Sequence, residues 1–379
     1  MAGRNSQIRI GFIGAGGIVR QRHVPGLRQG PGVEFAGVVN SSPESTARAA
    51  QEYGIPRQFD SPEQLIHSDE IDVVWIGTQP YLHSKLSTAA LEAGKHVFCQ
   101  ARMALDYADA KRMYDAWRKT DRTAMLCPPP HYMRGDRVIR RLLAEGFVGR
   151  PYNVTVRSYA DTFHDPSAPL HWRQMAGVSG VNTLDVGMLV EVTQRWLGYA
   201  RRVTAAALTL IPGRPPAQVR QGTGQTNVER PDTLTVAAEL ESGALFSGLW
   251  SGVARLAGDL NAIEIYGSEG TIRYTSTTEL RSGTGGTSMV RHIAATDAPG
   301  SGRILAARAG EEQLREVPIP DSEARTWTAE ADFIQAVREG KRDPEPSFWD
   351  GLKYMEVTDA VFRSAAEGRA VDLPYDRQL

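Results

Sequence analysis

The chain has 379 residues, more than one ordinary hydrophobic core organises, so two domains are expected. Its 41% hydrophobic and 23% charged residues are those of a globular protein, and a net charge of −1 leaves no basic excess to hold nucleic acid. No apolar run reaches the roughly 18–20 residues that span a bilayer, the polar start Met1–Arg9 is no secretory leader, and Cys99 and Cys127 make neither a disulfide framework nor a metal motif, so a cytoplasmic protein with reduced thiols is expected.

The first 127 residues alternate strand and helix patterns. Ile8–Ile13 is a β-rich run ending in glycines, and Gly17–Gln29 is helical. Phe35–Val39 reads as a strand, and Pro43–Tyr53 as a helix with Ser42 at its N-cap. Ser61 opens a further helix with Pro62 at its first position. Val73–Ile76 is a short apolar run of the buried, parallel-sheet kind. Helix Leu82–Ala93 stops at Gly94; strand His96–Cys99, helix Tyr107–Lys119 and strand Thr123–Cys127 follow. This alternation predicts a doubly wound parallel sheet of the Rossmann kind over residues 1–128.

The pattern then changes. A helix over Asp136–Glu145 and the turn Gly149-Arg150-Pro151 lead into an alternating strand, Tyr152–Ala160. After a helix around 180–197 come β-rich runs at Val203–Ile211, Thr233–Leu240, Ala244–Gly252, Ala262–Gly267 and Thr271–Tyr274. Short turns such as Glu241-Ser242-Gly243 indicate antiparallel pairing. Residues 129–379 are therefore expected to form an α+β domain with one open, mostly antiparallel sheet. Residues 275–325, rich in Ser, Thr, Gly and Ala, are the least readable; helices near 327–338 and 348–367 close the chain and are placed to pack back on the first domain.

Gly14-Ala15-Gly16-Gly17-Ile18-Val19 follows the first strand and opens a helix. Gly14 permits a tight turn, Gly16 lets backbone approach a pyrophosphate, and the helix start at Gly17 and Ile18 supplies N–H donors. Val19 stands where a third glycine is usual, so looser helix–strand packing is expected. The second strand ends at Asn40, where an NAD enzyme often carries an acid for the ribose diol. Asn40 and Ser41 can bond a ribose hydroxyl and do not repel a 2′-phosphate, so NAD and NADP both remain open.

Gly77-Thr78-Gln79-Pro80 with His83, and the run from Ala89 through Gly94-Lys95-His96-Val97-Phe98-Cys99, resemble the Gfo/Idh/MocA oxidoreductases. The glycine loop, Ile71–Val74, Gly146–Pro151, Asp185-Val186-Gly187 and the stretches Phe333–Gly340 and Ser364–Leu373 agree in order and spacing. The resemblance covers nearly the whole chain. It implies a nicotinamide cofactor near Thr78, His83 and Gln100, a sugar, inositol or related polyol as substrate, and oligomers formed through the open sheet.

Two departures bear on the chemistry. Where that family has Glu-Lys-Pro, with the lysine assisting proton transfer, this chain has Gln100-Ala101-Arg102. Where it has Asp-x-Gly-x-His, this chain keeps Asp185 and replaces the histidine by Leu189. Oxidising an alcohol moves a hydride from carbon and a proton from oxygen, and the base should titrate near the working pH. Ala101 and Leu189 cannot serve, and Arg102 supplies charge but is a poor proton carrier.

The candidate acid–base groups are Asp185, His164 and His171, with Arg102 in the lysine's neighbourhood. Asn182, three residues before Asp185, is expected on the same helical face or at the helix N-cap. Trp172, Arg173, Tyr159 and His131 are candidate substrate-binding residues. His83, His131, His164 and His171 are too scattered to argue a metal site. The favoured activity is NAD(P)-dependent oxidation or reduction of a sugar, cyclitol or glycoside with a non-standard proton relay. Two alternatives stay open: bond cleavage or epimerisation with recycled nicotinamide, and a silent dinucleotide-fold binding protein.

Overall fold

The structure, a computed structural model, describes residues 7–127, 133–216, 226–255, 261–276 and 302–376. It divides into two compact units, Met1–Pro128 with Thr328–Leu352, and Pro129–Trp327 with Lys353–Leu379.

In the first unit, β1 (Ile8–Ile13), β2 (Val33–Val39), β3 (Arg57–Gln58), β4 (Val73–Ile76), β5 (His96–Cys99) and β6 (Ala124–Leu126) form a wholly parallel sheet of order β3-β2-β1-β4-β5-β6. Strand order reverses between β1 and β4, the place where open α/β sheets bind ligands. The first helical segment is a π-type turn, Val19–His23, running into α1 (Val24–Gln29). α2 (Pro43–Tyr53) is capped by Ser42, whose hydroxyl accepts the Ser45 N–H, and stopped by Gly54 at φ 67°. α3 (Pro62–Ile66), α4 (Pro80–Glu92) and α5 (Tyr107–Arg118) complete the windings. Trp75 of β4 stacks on Phe98 of β5 at 3.8 Å between ring centres. Phe333, from the late helix α9 (Ala329–Glu339), meets both rings edge-on. Each of the three aromatics is fully buried, and burial of side chains this size stabilises by about 2–3 kcal/mol apiece.

The second unit holds α6 (Asp136–Ala144), α7 (Ala176–Ser179), α8 (Val186–Leu197) and most of α10 (Phe348–Glu367), which starts in the first unit. Its sheet contains β7 (Pro151–Tyr159), β8 (Ala200–Leu208), β9 (Thr233–Leu240), β10 (Leu245–Ser251), β11 (Asn261–Gly267), β12 (Gly270–Ser276), β13 (Gly302–Arg308), β14 (Arg315–Val317) and β15 (Val371–Asp372). The order is β14-β13-β12-β11-β7-β10-β9-β8-β15, and every pairing among the described strands is antiparallel except β7 with β10. In β9, Leu234, Val236, Ala238 and Leu240 face the core, while Thr235 and Ala237 face outward. α8 covers the inner face, with all its residues but Arg195 buried. Gly187 brings α8 against α10, since a Cβ there would lie 2.9 Å from Tyr354 and Thr358. The outer face carries a shallow depression of about 580 Å³ lined by Thr204, Ala206, Thr235, Ala237, Ser247 and Leu249.

Three expectations about the elements need correction. The helix near 180–197 starts only at Val186, because Gly180 and Leu184 take positive φ, 64° and 47°. The short strands β3 and β15 are not anticipated. Nor are β13 and β14, in a region whose small polar residues mask their pattern. Among the described residues no helix is long and apolar enough to cross a membrane.

Candidate active site

The glycine loop is built by two facing turns. Gly14 takes φ 83°, and a Cβ on it would come within 2.7 Å of Thr78. A Cβ on Gly77 would come 2.5 Å from both the Gly14 carbonyl oxygen and Val19 Cγ2. Val19 is fully buried. The looser packing expected from its side chain is therefore not found: Gly77, in the facing turn, supplies the space that a third glycine usually supplies. Around Gly16 and Gly17, by contrast, a Cβ would meet nothing within 4 Å. The backbone there is open to close approach by a diphosphate, although the Gly16 N–H itself donates to the Gly14 carbonyl at 2.8 Å.

Asn40 bears on the same loop. Its side-chain oxygen accepts the Ala15 N–H at 2.7 Å, and its amide nitrogen donates to the Ser45 carbonyl at 2.9 Å. Ser41, beside it, is exposed. His83 is fully buried between two loops, with Nδ1 2.8 Å from the Arg102 carbonyl oxygen and Nε2 3.0 Å from that of Thr78, and the neutral ring donates to one of these acceptors at a time. Burial holds its pKa below the usual histidine range. Gln100 bonds His23 Nε2 at 2.9 Å, and His23 Nδ1 lies 2.6 Å from the Glu330 carboxylate. Gly26 makes room for that carboxylate. Arg102 is buried, and the peptide before it is cis.

In the second unit a polar cluster forms where β7 and β10 end. The Ser158 hydroxyl donates to Asp185 Oδ2 at 2.9 Å, while Asp185 Oδ1 is buried without a hydrogen-bond partner. Leu184, just before it, holds a left-handed backbone that a branched residue rarely adopts. Leu184 and Phe163 converge on Gly252, where a Cβ would meet them at 2.9 and 2.7 Å. The loop carrying Phe163 and His164 is thereby fixed beside Asp185.

The two loop histidines carry opposite tautomers. His164 Nδ1 lies 2.5 Å from the Asp161 carbonyl oxygen, which only accepts, so Nδ1 carries the proton and the neutral ring has its lone pair at Nε2. His171 Nδ1 accepts the Arg173 N–H at 3.2 Å, so its proton sits on Nε2. Burial, with the charges of Arg173 and Arg214, pushes His171 down to about 3 and keeps it neutral. His171 stands in an aromatic run: its ring centre is 6.1 Å from Phe163 and 5.6 Å from Trp172, over which Arg173 stacks at 4.1 Å.

Other expected residues fall elsewhere. Asn182 shares no helical face with Asp185 and caps no helix; it is buried in the preceding turn and donates to the Ser179 carbonyl. Asp185 takes the N-cap position, without a side-chain capping bond. Tyr159 follows Ser158 on β7 and so points to the opposite face of the sheet, under Arg157 at 5.6 Å. Asp165 does not orient His164, because its carboxylate accepts from Ser167. His131 lies outside the described residues.

Residues 8–127 match the oxidoreductase family with an NAD-binding Rossmann fold, and residues 140–373 match that family's C-terminal alpha/beta domain. The chain belongs to the Gfo/Idh/MocA family. It is an oxidoreductase with an NAD-binding domain. The levoglucosan dehydrogenase of Pseudarthrobacter phenanthrenivorans is 28% identical over 89% of each chain. The 1,5-anhydro-D-fructose reductase of Ensifer adhaerens is 27% identical over 96% of this chain and 98% of its own. A levoglucosan dehydrogenase solved with NADH and levoglucosan shares the fold, with a TM-score of 0.81 at 23% identity over 97% of this chain and all of that one.

For a Gfo/Idh/MocA chain, the positions around the missing lysine and histidine are plain: Ala101 is partly exposed and Leu189 is buried in α8. Sequence reasoning missed Ser158 and Arg214. Ser158 was findable, as the polar member of the inward set Val154, Val156, Ser158. Arg214, in a proline-flanked segment without periodicity, carried no signal.

Proposed function

We propose that this chain oxidises or reduces a hydroxyl-bearing carbon of a sugar, cyclitol or glycoside with NAD or NADP, using His164 Nε2 as the proton acceptor. The observation that carries this is the pair of opposite tautomers in one loop. His164 presents a lone pair, as a general base must. His171 presents an N–H that stays neutral, the form suited to donating to a substrate oxygen. Asp185, braced by Ser158, supplies a carboxylate beside the histidine loop, and Trp172 with Arg173 offers a flat apolar and polar surface to a sugar ring. The names of the relatives support a sugar-like substrate.

The glycine loop fits the cofactor by its open face at Gly16 and Gly17. Bound there, NAD supplies the hydride acceptor. This chain's residues do the rest: Asn40 fixes the loop, His83 ties Thr78 to Arg102, and His164 takes the hydroxyl proton. Arg102 supplies positive charge and relays no proton. The outer face of the second-unit sheet, with exposed Leu208 and Leu245 at its margins, is the surface on which we place a second copy of the chain.

The test is reduction of NAD and NADP by the purified protein against levoglucosan, 1,5-anhydro sugars and inositols, followed near the reduced-nicotinamide band. Activity in the parent and a loss of about 100-fold or more in His164→Gln is the expected result. A His164→Gln variant with the parent's kcat would sink the assignment of the base.

A further inference from the structure

We propose that Arg214 is a positioning residue that sets the tautomer and aim of His164, an inference that rests on the reading of His164 as the base. Arg214 is 4% exposed. Its Nη1 donates to the Asp165 carbonyl at 2.5 Å and its Nη2 to the Phe163 carbonyl. These are the residues immediately after and before His164, so one rigid guanidinium fork grips the peptide on both sides of the imidazole. Its plane also lies 6.0 Å from the Phe163 ring centre.

The arginine is itself held. Its N–H donates to Thr226, Val228 donates to Pro212, and Leu170 donates to Pro215, each at 2.8–2.9 Å. The buried Asp232 carboxylate accepts the Leu210 and Ile211 N–H groups where this segment leaves β8.

A purely structural role accounts poorly for the choice of residue. Among the described residues no carboxylate lies within ion-pair distance of Arg214; its hydrogen bonds go to carbonyl oxygens, with Asp232 and Asp165 acting on its charge from farther away. Burial lowers its pKa, the signature of the cost of burying that charge. A neutral side chain would brace the loop without it. The charge has a second use: with Arg173, Arg214 helps to keep His171 unprotonated. One side chain thus holds the peptide around one histidine and adds to the burial and the Arg173 charge that keep the other neutral. The charged groups around the pair are Asp161, Asp165, Arg173, Arg214 and, acting on Arg214, Asp232.

The experiment labels histidine ring nitrogens with ¹⁵N and assigns His164 by its absence in His164→Gln. In the parent, neutral His164 should show a protonated Nδ1 and a bare Nε2. In Arg214→Gln the two shifts should converge as tautomers interconvert. Turnover on the best sugar of the panel should fall about 10- to 100-fold while NADH affinity, read by fluorescence, changes less than about twofold. Arg214→Lys keeps the charge but reaches one carbonyl, and should fall between. A folded Arg214→Gln with the parent's tautomer overturns the proposal. Should that variant not fold, Arg214→Lys with the parent's tautomer and kcat overturns it. If His164→Gln keeps full turnover, the reading of the base fails, and the spectra still decide the clamp separately.

Discussion

Asn40 directly follows β2, and its side-chain oxygen takes the N–H of Ala15, 25 residues earlier, at 2.7 Å. The residue usually assigned to the ribose here braces the phosphate loop. Asn40→Ala should weaken NADH binding by about tenfold, the loss of a half-buried hydrogen bond of about 1–1.5 kcal/mol. Asn40→Asp keeps the acceptor and adds a charge, so NADP affinity should fall relative to NAD. Fluorescence titration of both nucleotides checks this; an unchanged NAD-to-NADP ratio would refute it.

Gly16 and Gly77 should separate binding from folding. Gly16→Asp meets open space and should melt with the parent, yet bind no dinucleotide. Gly77→Ala drives a methyl into the Gly14 carbonyl and Val19, and should lose about 1–3 kcal/mol of stability. Denaturant titrations of both variants, alongside nucleotide binding, decide it. Equal destabilisation would show that the loop is not built as described.

Ser158 and Asp185 form a pair with unequal duties. Ser158→Ala leaves Asp185 Oδ2 without its donor and should raise KM several-fold, about 1 kcal/mol, with little change in kcat. Asp185→Asn should lower kcat/KM by about 100-fold. Steady-state kinetics distinguish the two, and a larger kcat effect from Ser158→Ala would invert the assignment.

His96 gives acid sensitivity a named source. Burial, then the Arg122 charge, pushes it down to about 4. The unfolded chain takes up this proton below about pH 6.5, while the folded chain refuses it until about 4. Stability must therefore fall as pH drops through that window, and His171 acts in the same direction. In His96→Gln the urea midpoint should decline less between pH 7 and 4 than in the parent. Parallel declines would exclude His96 as a source.

Assembly through the outer sheet face is tested by Ala237→Arg, which puts a charge in the middle of the depression. Light scattering should show a parent oligomer dissociating with its secondary structure intact. A parent that is monomeric throughout would remove the proposal.

Much of the first unit was legible because parallel strands buried on both faces read as unbroken apolar runs: Val73–Ile76 and His96–Cys99 appear with their expected bounds. Ser42 was legible as a cap for the same local reason. The site was harder. Asn182 sits at helical spacing from Asp185, but Gly180 and the left-handed Leu184 interrupt the helix, and backbone sign is not written in a leucine. Tyr159 was misplaced by one residue of a period-two strand. The two histidines stand out in the sequence as candidates, but their tautomers depend on the carbonyl of Asp161 and the amide of Arg173, which composition does not reveal. Arg214 acts 50 residues away from His164 and no spacing announces it.

The parallel pairing of β7 with β10 has a lasting effect on adaptability. Both strands surrender their carboxyl ends at a single rim, so residues 160–184 and 252–255 can lengthen, shorten or change composition without altering the ladders beneath. Exchange of these two exits between relatives is the economical way to redirect selectivity, because the frame that carries them keeps its register.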